Sequence, residues 1–117
     1  MSEWKWLEST RRLQQDVFGR FSVGTHEAVA AGVKDNVLPL IVEAVELLNE
    51  VSWKYWAHDE PFVRRAEVLN EAVDIAHFLG NILVEIGVTD EEWEEAYQAK
   101  QKENERRQRE GYLVKDK

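Results

Sequence analysis

An all-α fold is predicted for this chain by three observations. Apolar residues recur at helical spacing in four segments, strict alternation of the kind a half-buried strand needs is missing over any useful length, and caps and prolines punctuate the segments. The 117 residues are enough for one core and short for two, so residues 1–117 read as a single domain. A second copy would help such a chain bury apolar surface.

The first helix is expected over about residues 3–18, where Trp6, Thr10, Leu13 and Val17 fall on one stripe and Gly19 is placed to stop it. From Gly19 to Lys34 the chain carries three glycines and no sustained charge pattern, which predicts a loop over 19–34 with a short helical turn around His26 to Ala31. The second helix is expected to begin near Asn36 as its cap, with Pro39 tolerated in the first turn, and to run to about Trp56. Its apolar ridge is Leu38, Ile41, Val45 and Leu48, leaving Glu43, Glu46 and Glu50 along a narrow acidic seam. Asp59-Glu60-Pro61 opens the third helix, almost continuously apolar from Val68 to Ile86 and ending at Gly87. Thr89 with Glu92 forms a capping box for the fourth, which runs through a strongly charged stretch to about Arg109 and leaves a tail at 110–117.

Charge narrows the function. With 23 acidic against 15 basic residues, the net charge of −8 argues against nonspecific binding to nucleic acid or an anionic membrane. A phosphate ligand would need a metal to bridge it. No cysteine is present, which removes disulfides, a thiolate nucleophile and zinc-thiolate sites. No apolar run approaches a membrane span, and the N-terminus MSEWKWLEST lacks the basic-then-apolar layout of a signal peptide, so the expected compartment is the cytoplasm.

Two acidic pairs carry the chemistry. Glu43-x-x-Glu46 and Glu71-x-x-Asp74 each place two carboxylates on one helix face, in apolar surroundings where burial would otherwise be expected. Burying four carboxylates without partners is costly, so the arrangement makes sense mainly with cations between them. An isolated pair would more often be a solvated face. Here the 24 residues between Glu46 and Glu71 suit antiparallel neighbouring helices joined by a short turn, which tips the reading to metal. Hard oxygen ligands favour Mg²⁺, with Mn²⁺ as a substitute. A di-iron bundle would want Glu-x-x-His pairs, whereas Asp74-x-x-His77 is all the chain offers. On the third helix Glu71, Asp74, Phe78 and Asn81 follow one face, and on the fourth Trp93, Tyr97, Lys100, Asn104 and Arg107 do the same. That last stripe could grip phosphate oxygens, although spacing alone favours an ordinary solvated helix.

These motifs resemble the all-α nucleoside triphosphate pyrophosphohydrolases, the superfamily of the dimeric dUTPases and the MazG-like enzymes. Glu43-Ala-Val-Glu46-Leu-Leu-Asn49-Glu50 followed by Trp53-Lys54-Tyr55-Trp56, and then Glu71-Ala-Val-Asp74-Ile-Ala-His77-Phe78, resemble two dimeric dUTPase motifs. Tyr97-x-x-Lys100, Asn104 and Arg107-Gln108-x-x-Gly111-Tyr112 resemble that family's phosphate-binding tail, as in the short bacteriophage forms. The resemblance implies Mg²⁺ on Glu43, Glu46, Glu71 and Asp74, with Glu50 a further ligand and Glu46 orienting the attacking water. It implies phosphate contacts from Lys54, Lys100, Asn104 and Arg107. Trp56, Phe78 and Asn81 fall on the base and sugar side, and either Gln14 or Gln15 matches the glutamine that reads uracil. Trp53 stands where phenylalanine is usual and Gln101 where asparagine commonly follows the lysine, departures that leave the metal motifs intact.

The expected reaction is Mg²⁺-dependent hydrolysis of dUTP to dUMP and pyrophosphate, in a homodimer or dimer of dimers whose active sites are completed across the subunit interface. A MazG-like hydrolase of another nucleotide, such as dCTP or a modified one, shares the metal motif. A noncatalytic helical protein whose acidic seam docks a basic partner is the more distant alternative.

Overall fold

The computed structural model describes residues 4–16, 24–58 and 60–111. Among the described residues the fold has four helices: α1 (Trp6–Asp16), α2 (His26–Leu48), α3 (Arg65–Glu85) and α4 (Asp90–Glu110). A single turn of 3₁₀ helix (Tyr55–Ala57) and one antiparallel bridge between Val51 and Val63 shape the α2–α3 connection. Among the described residues no helix is by itself long and apolar enough to cross a membrane.

The start of α2 differs from the sequence expectation. The helix begins ten residues before Asn36, at His26, with Thr25 as cap accepting a hydrogen bond from the Ala28 amide at 3.2 Å. Residues 26–34 are therefore helix and not loop. Gly32, which reads as a break, is buried instead at the crossing of α2 with α3, where an added Cβ would collide with the Glu85 carboxylate. Pro39 lies in the helix interior rather than in the first turn. At the other end α2 stops at Leu48, so Trp56 sits in the 3₁₀ turn and not in the helix. Helix α3 begins at Arg65, four residues after Pro61, and closes at Ile86, just before the positive-φ Gly87. Thr89 caps α4 as expected, accepting from the Glu92 amide at 3.2 Å. Val17 and Gly19 lie outside the described residues.

α3 is the central element: α2 and α1 both pack against it, while among the described helices α4 touches only α1. Gly80 permits the α1–α3 approach, since a Cβ there would meet Thr10 Oγ1 and Trp6 Nε1, both at 3.0 Å. The stripe that α1 buries is rotated from the expected one. Leu7 and Thr10 are buried and Gln14 half-buried, whereas Leu13 is exposed. From α4, the Asp90 carboxylate accepts from the Leu7 and Glu8 amides at 2.8 and 3.0 Å, so it caps the free end of α1 from a different helix. Trp6 and Trp93 meet edge to face at 5.5 Å beside this contact.

The α2 ridge is left open. Leu38, Ile41, Val42 and Val45 are each more than half exposed, and Leu69 and Val73 on α3 extend the apolar surface. The radius of gyration is 18.2 Å. A compact domain of this length would have roughly 13 Å.

Candidate functional site

The α2–α3 pairing brings the two acidic motifs together. Carboxylate oxygens of Glu43, Glu46 and Glu71 lie within 4.8 Å of one another, with Glu43 and Glu71 half-buried and Glu46 exposed. Oε2 of Glu43 and of Glu71 is enclosed with no hydrogen-bond donor from the protein. Such oxygens need either a proton or a cation. Without a cation, Glu71 beside it, burial, and Glu46 push the Glu43 carboxyl up to about 7. The donor set fits a hard divalent ion. Asp74 is half-buried on α3 one turn beyond Glu71, and Glu50 is half-buried past the end of α2; neither belongs to the close group of three.

Glu50 is instead tied to the return of the α2–α3 connection. Arg64 Nη1 lies 3.4 Å from Glu50 Oε1 and 3.4 Å from the Asn49 carbonyl, while the Arg64 amide donates to the Glu50 carbonyl at 2.9 Å. Its guanidinium stacks 4.4 Å over Phe62. Ser52 and Phe62 close the same neck through Ser52 N to Phe62 O at 3.0 Å and Phe62 N to Ser52 Oγ at 2.9 Å. The neck carries an exposed aromatic knot, Trp53 against Trp56 at 5.5 Å and Tyr55 against Trp56 at 5.1 Å. Lys54 is exposed within it, on the rim of a cavity of about 430 Å³ that Arg64 and His58 also line.

Two turns along α2 and α3 from the acids, three amides are linked. Gln14 Nε2 donates to Asn81 Oδ1 at 2.9 Å, Asn81 Nδ2 to Asn36 Oδ1 at 3.0 Å, and Asn36 Nδ2 to the Gly32 carbonyl at 2.9 Å. Gln15 points elsewhere, accepting from Arg11 at 2.9 Å on the exposed side of α1. Phe78 is half-buried on α3, one turn from both Asp74 and Asn81.

The phosphate candidates of α4 are not brought to the acids within one chain. Among the described residues α4 makes no helix contact with α2 or α3, and it turns away from α3 at 109°. Lys100, Asn104 and Arg107 are exposed along its outer length, Arg107 with Glu103 at 3.3 Å. Sequence reading missed Arg64, Asn36 as an amide partner, and Asp90 as a cap. All three act through contacts distant in sequence, and only Asp90, acidic at a helix start, carried any local signal.

A family model described as dUTPase matches residues 7–93, which takes in α1 from Leu7 onward, α2, α3 and the acidic triad. The chain belongs to the dUTPase family. No curated protein and no solved structure matches it. Membership in this all-α dUTPase family carries dUTP pyrophosphohydrolase activity with dUTP as substrate; enzymes of the family use divalent metal, and the cluster of Glu43, Glu46 and Glu71 could hold such an ion.

Proposed function

We propose that the chain hydrolyses dUTP to dUMP and pyrophosphate with Mg²⁺ held by Glu43, Glu46 and Glu71, joined by Asp74 and, in the loaded site, by Glu50. The observation that carries this reading is the pair of enclosed, donorless oxygens on Glu43 and Glu71. A divalent ion there supplies neutralising charge for the phosphate chain and acidifies a water. Glu46 is the exposed member of the triad, so it is accessible to a water and takes up its proton while orienting its oxygen toward the phosphate chain. That oxygen forms the new P–O bond as the bond between the α- and β-phosphates breaks, and pyrophosphate leaves without a covalent enzyme intermediate.

Gln14 reads the base, with Asn81 beside it. Gln14 faces α3 and shares a hydrogen bond with Asn81, whereas Gln15 is occupied by Arg11 on the outer face, which supports choosing the former. Phe78 and Trp56 flank the base and sugar, and Lys54 meets phosphate from the α2–α3 connection.

The protein works as a homodimer whose sites are completed by Lys100, Asn104 and Arg107 of a second copy. Three features support this: the open apolar ridge of α2, the large radius of gyration, and the separation of α4 from the triad. The test is Glu46→Gln and Asp74→Asn, assayed for dUMP and pyrophosphate release with circular dichroism as a control for folding. Each should lose turnover with helicity retained; near-normal activity in either would remove that residue from the mechanism.

A further inference from the structure

The linked amides have a fixed direction. A backbone carbonyl can only accept, so the Gly32 oxygen obliges Asn36 to turn its NH₂ inward and its oxygen toward Asn81. Asn81 must then present its NH₂ to Asn36 and its oxygen to Gln14, and Gln14 must give an N–H to Asn81. Asn36, Asn81 and Gln14 are all half-buried and come from α2, α3 and α1 respectively, so the chain crosses the whole three-helix layer. The Gln14 carbonyl and its second N–H are not used by the chain of amides.

The register sets this polarity at a nucleotide's length from the acids. Asn36 precedes Glu43 by seven residues on α2, and Asn81 follows Asp74 by seven on α3. Because the helices run antiparallel, both steps lead the same way, and seven residues of helix rise roughly 10.5 Å. Phosphates at the triad would leave the base at the amides.

Direction decides which base fits. At adjacent positions of its edge uracil presents a donor, N3–H, and an acceptor, O4. Cytosine presents the reverse, an acceptor at N3 and a donor at N4. A primary amide free to turn over pairs with either ring in one pose, while an amide held in one orientation pairs with one ring and opposes the other. We propose that Asn36, acting through Asn81, locks the Gln14 amide and is a positioning residue for discrimination between uracil and cytosine. The proposal rests on the reading of Gln14 as the base-contacting residue.

The experiment compares kcat/KM for dUTP and dCTP, with Mg²⁺, in the unmodified protein, Asn36→Ala and Asn36→Asp, each checked for helicity. Asn36→Ala removes the lock and should narrow the dUTP-to-dCTP ratio by about tenfold or more. Asn36→Asp still accepts from Asn81 Nδ2, so it preserves the direction of Asn81 and Gln14 although it cannot donate to Gly32. Its ratio should stay within about threefold of the unmodified protein's. A merely structural role for Asn36 would lower both substrates together and leave the ratio unchanged, which overturns the proposal. So does Asn36→Asp relaxing as far as Asn36→Ala. If Asn36→Asp does not fold, the ratio in Asn36→Ala decides. An unmodified protein indifferent to the base overturns the lock. One that prefers dCTP overturns the dUTP reading alone, and the Asn36→Ala ratio still decides whether the lock exists.

Discussion

Replacing Glu71 by Gln separates the proton at the acidic triad from the metal. Glu43 is pushed up to about 7 from an ordinary 4.5, first by Glu71, then by burial and by Glu46. Between those two values the folded chain therefore holds a proton that the unfolded chain has released, so the contribution to metal-free stability is full below about 4.5 and is lost as pH rises through about 7. A cation entering the triad must displace the same proton. Its apparent affinity should then climb about tenfold per pH unit below 7 and level off above, with about 0.9 proton released per ion at pH 6 and about 0.1 at pH 8. In Glu71→Gln the neighbouring charge is gone and the new amide can donate to Glu43, which lets the Glu43 carboxyl fall back toward its ordinary range. Metal-free Tm at pH 8 should rise, the gain in Tm on adding Mg²⁺ or Mn²⁺ should shrink, and proton release at pH 6 should drop severalfold. Calorimetric titration in two buffers of different ionisation enthalpy, paired with thermal melts, reads all three. Metal affinity that is flat from pH 5.5 to 8, or unchanged proton release in the variant, would show that Glu43 holds no such proton.

Three further outcomes follow from packing and from assembly. Gly80→Ala should destabilise the fold by about 1–2 kcal/mol in urea unfolding, because its methyl meets Thr10 Oγ1 and the Trp6 indole, whereas Gly32→Ala should stay near neutral, because the group its methyl meets is the far end of the long Glu85 side chain, which can change rotamer, and the helix gains propensity. Asp90→Ala should cost about 1–2 kcal/mol by uncapping α1 and should raise the KM for dUTP, since α1 carries Gln14; an unchanged melt would contradict the cap. Glu46→Gln and Arg107→Ala, each inactive alone, should recover about a quarter of full activity when mixed and allowed to exchange subunits, because half of the dimers then hold one intact site of two. No recovery, despite exchange followed by mass spectrometry, would place both residues in the site of a single chain.

What the sequence made legible were features with a local period. Paired acids at i and i+3 declare a helix face, and the gap between Glu46 and Glu71 suggested the antiparallel register that the fold displays. Thr89 with Glu92 announced the start of α4 for the same reason, a cap whose partner lies three residues on. The start of α2 was obscured because the glycines of 19–34, Gly32 among them, read as a loop and Pro39 fitted the first turn of a helix starting near Asn36. Gly32 serves a tertiary contact with Glu85, and Pro39 is carried inside a 23-residue helix. Contacts between distant positions were not legible: Asp90 reaching the Leu7 and Glu8 amides, Arg64 returning to Glu50, and Asn36 joined to Asn81. Nor could spacing on α1 decide between Gln14 and Gln15, adjacent residues separated only by which one faces α3.

The most direct test of the central claim is product release from a panel of ribo- and deoxyribonucleoside triphosphates with Mg²⁺, resolved by chromatography into monophosphate, diphosphate, phosphate and pyrophosphate. dUTP should be turned over in strong preference to the rest, giving dUMP and pyrophosphate, and chelating the metal should stop the reaction. Folded protein that leaves dUTP intact with Mg²⁺ and with Mn²⁺, or that releases dUDP and phosphate instead, would contradict it.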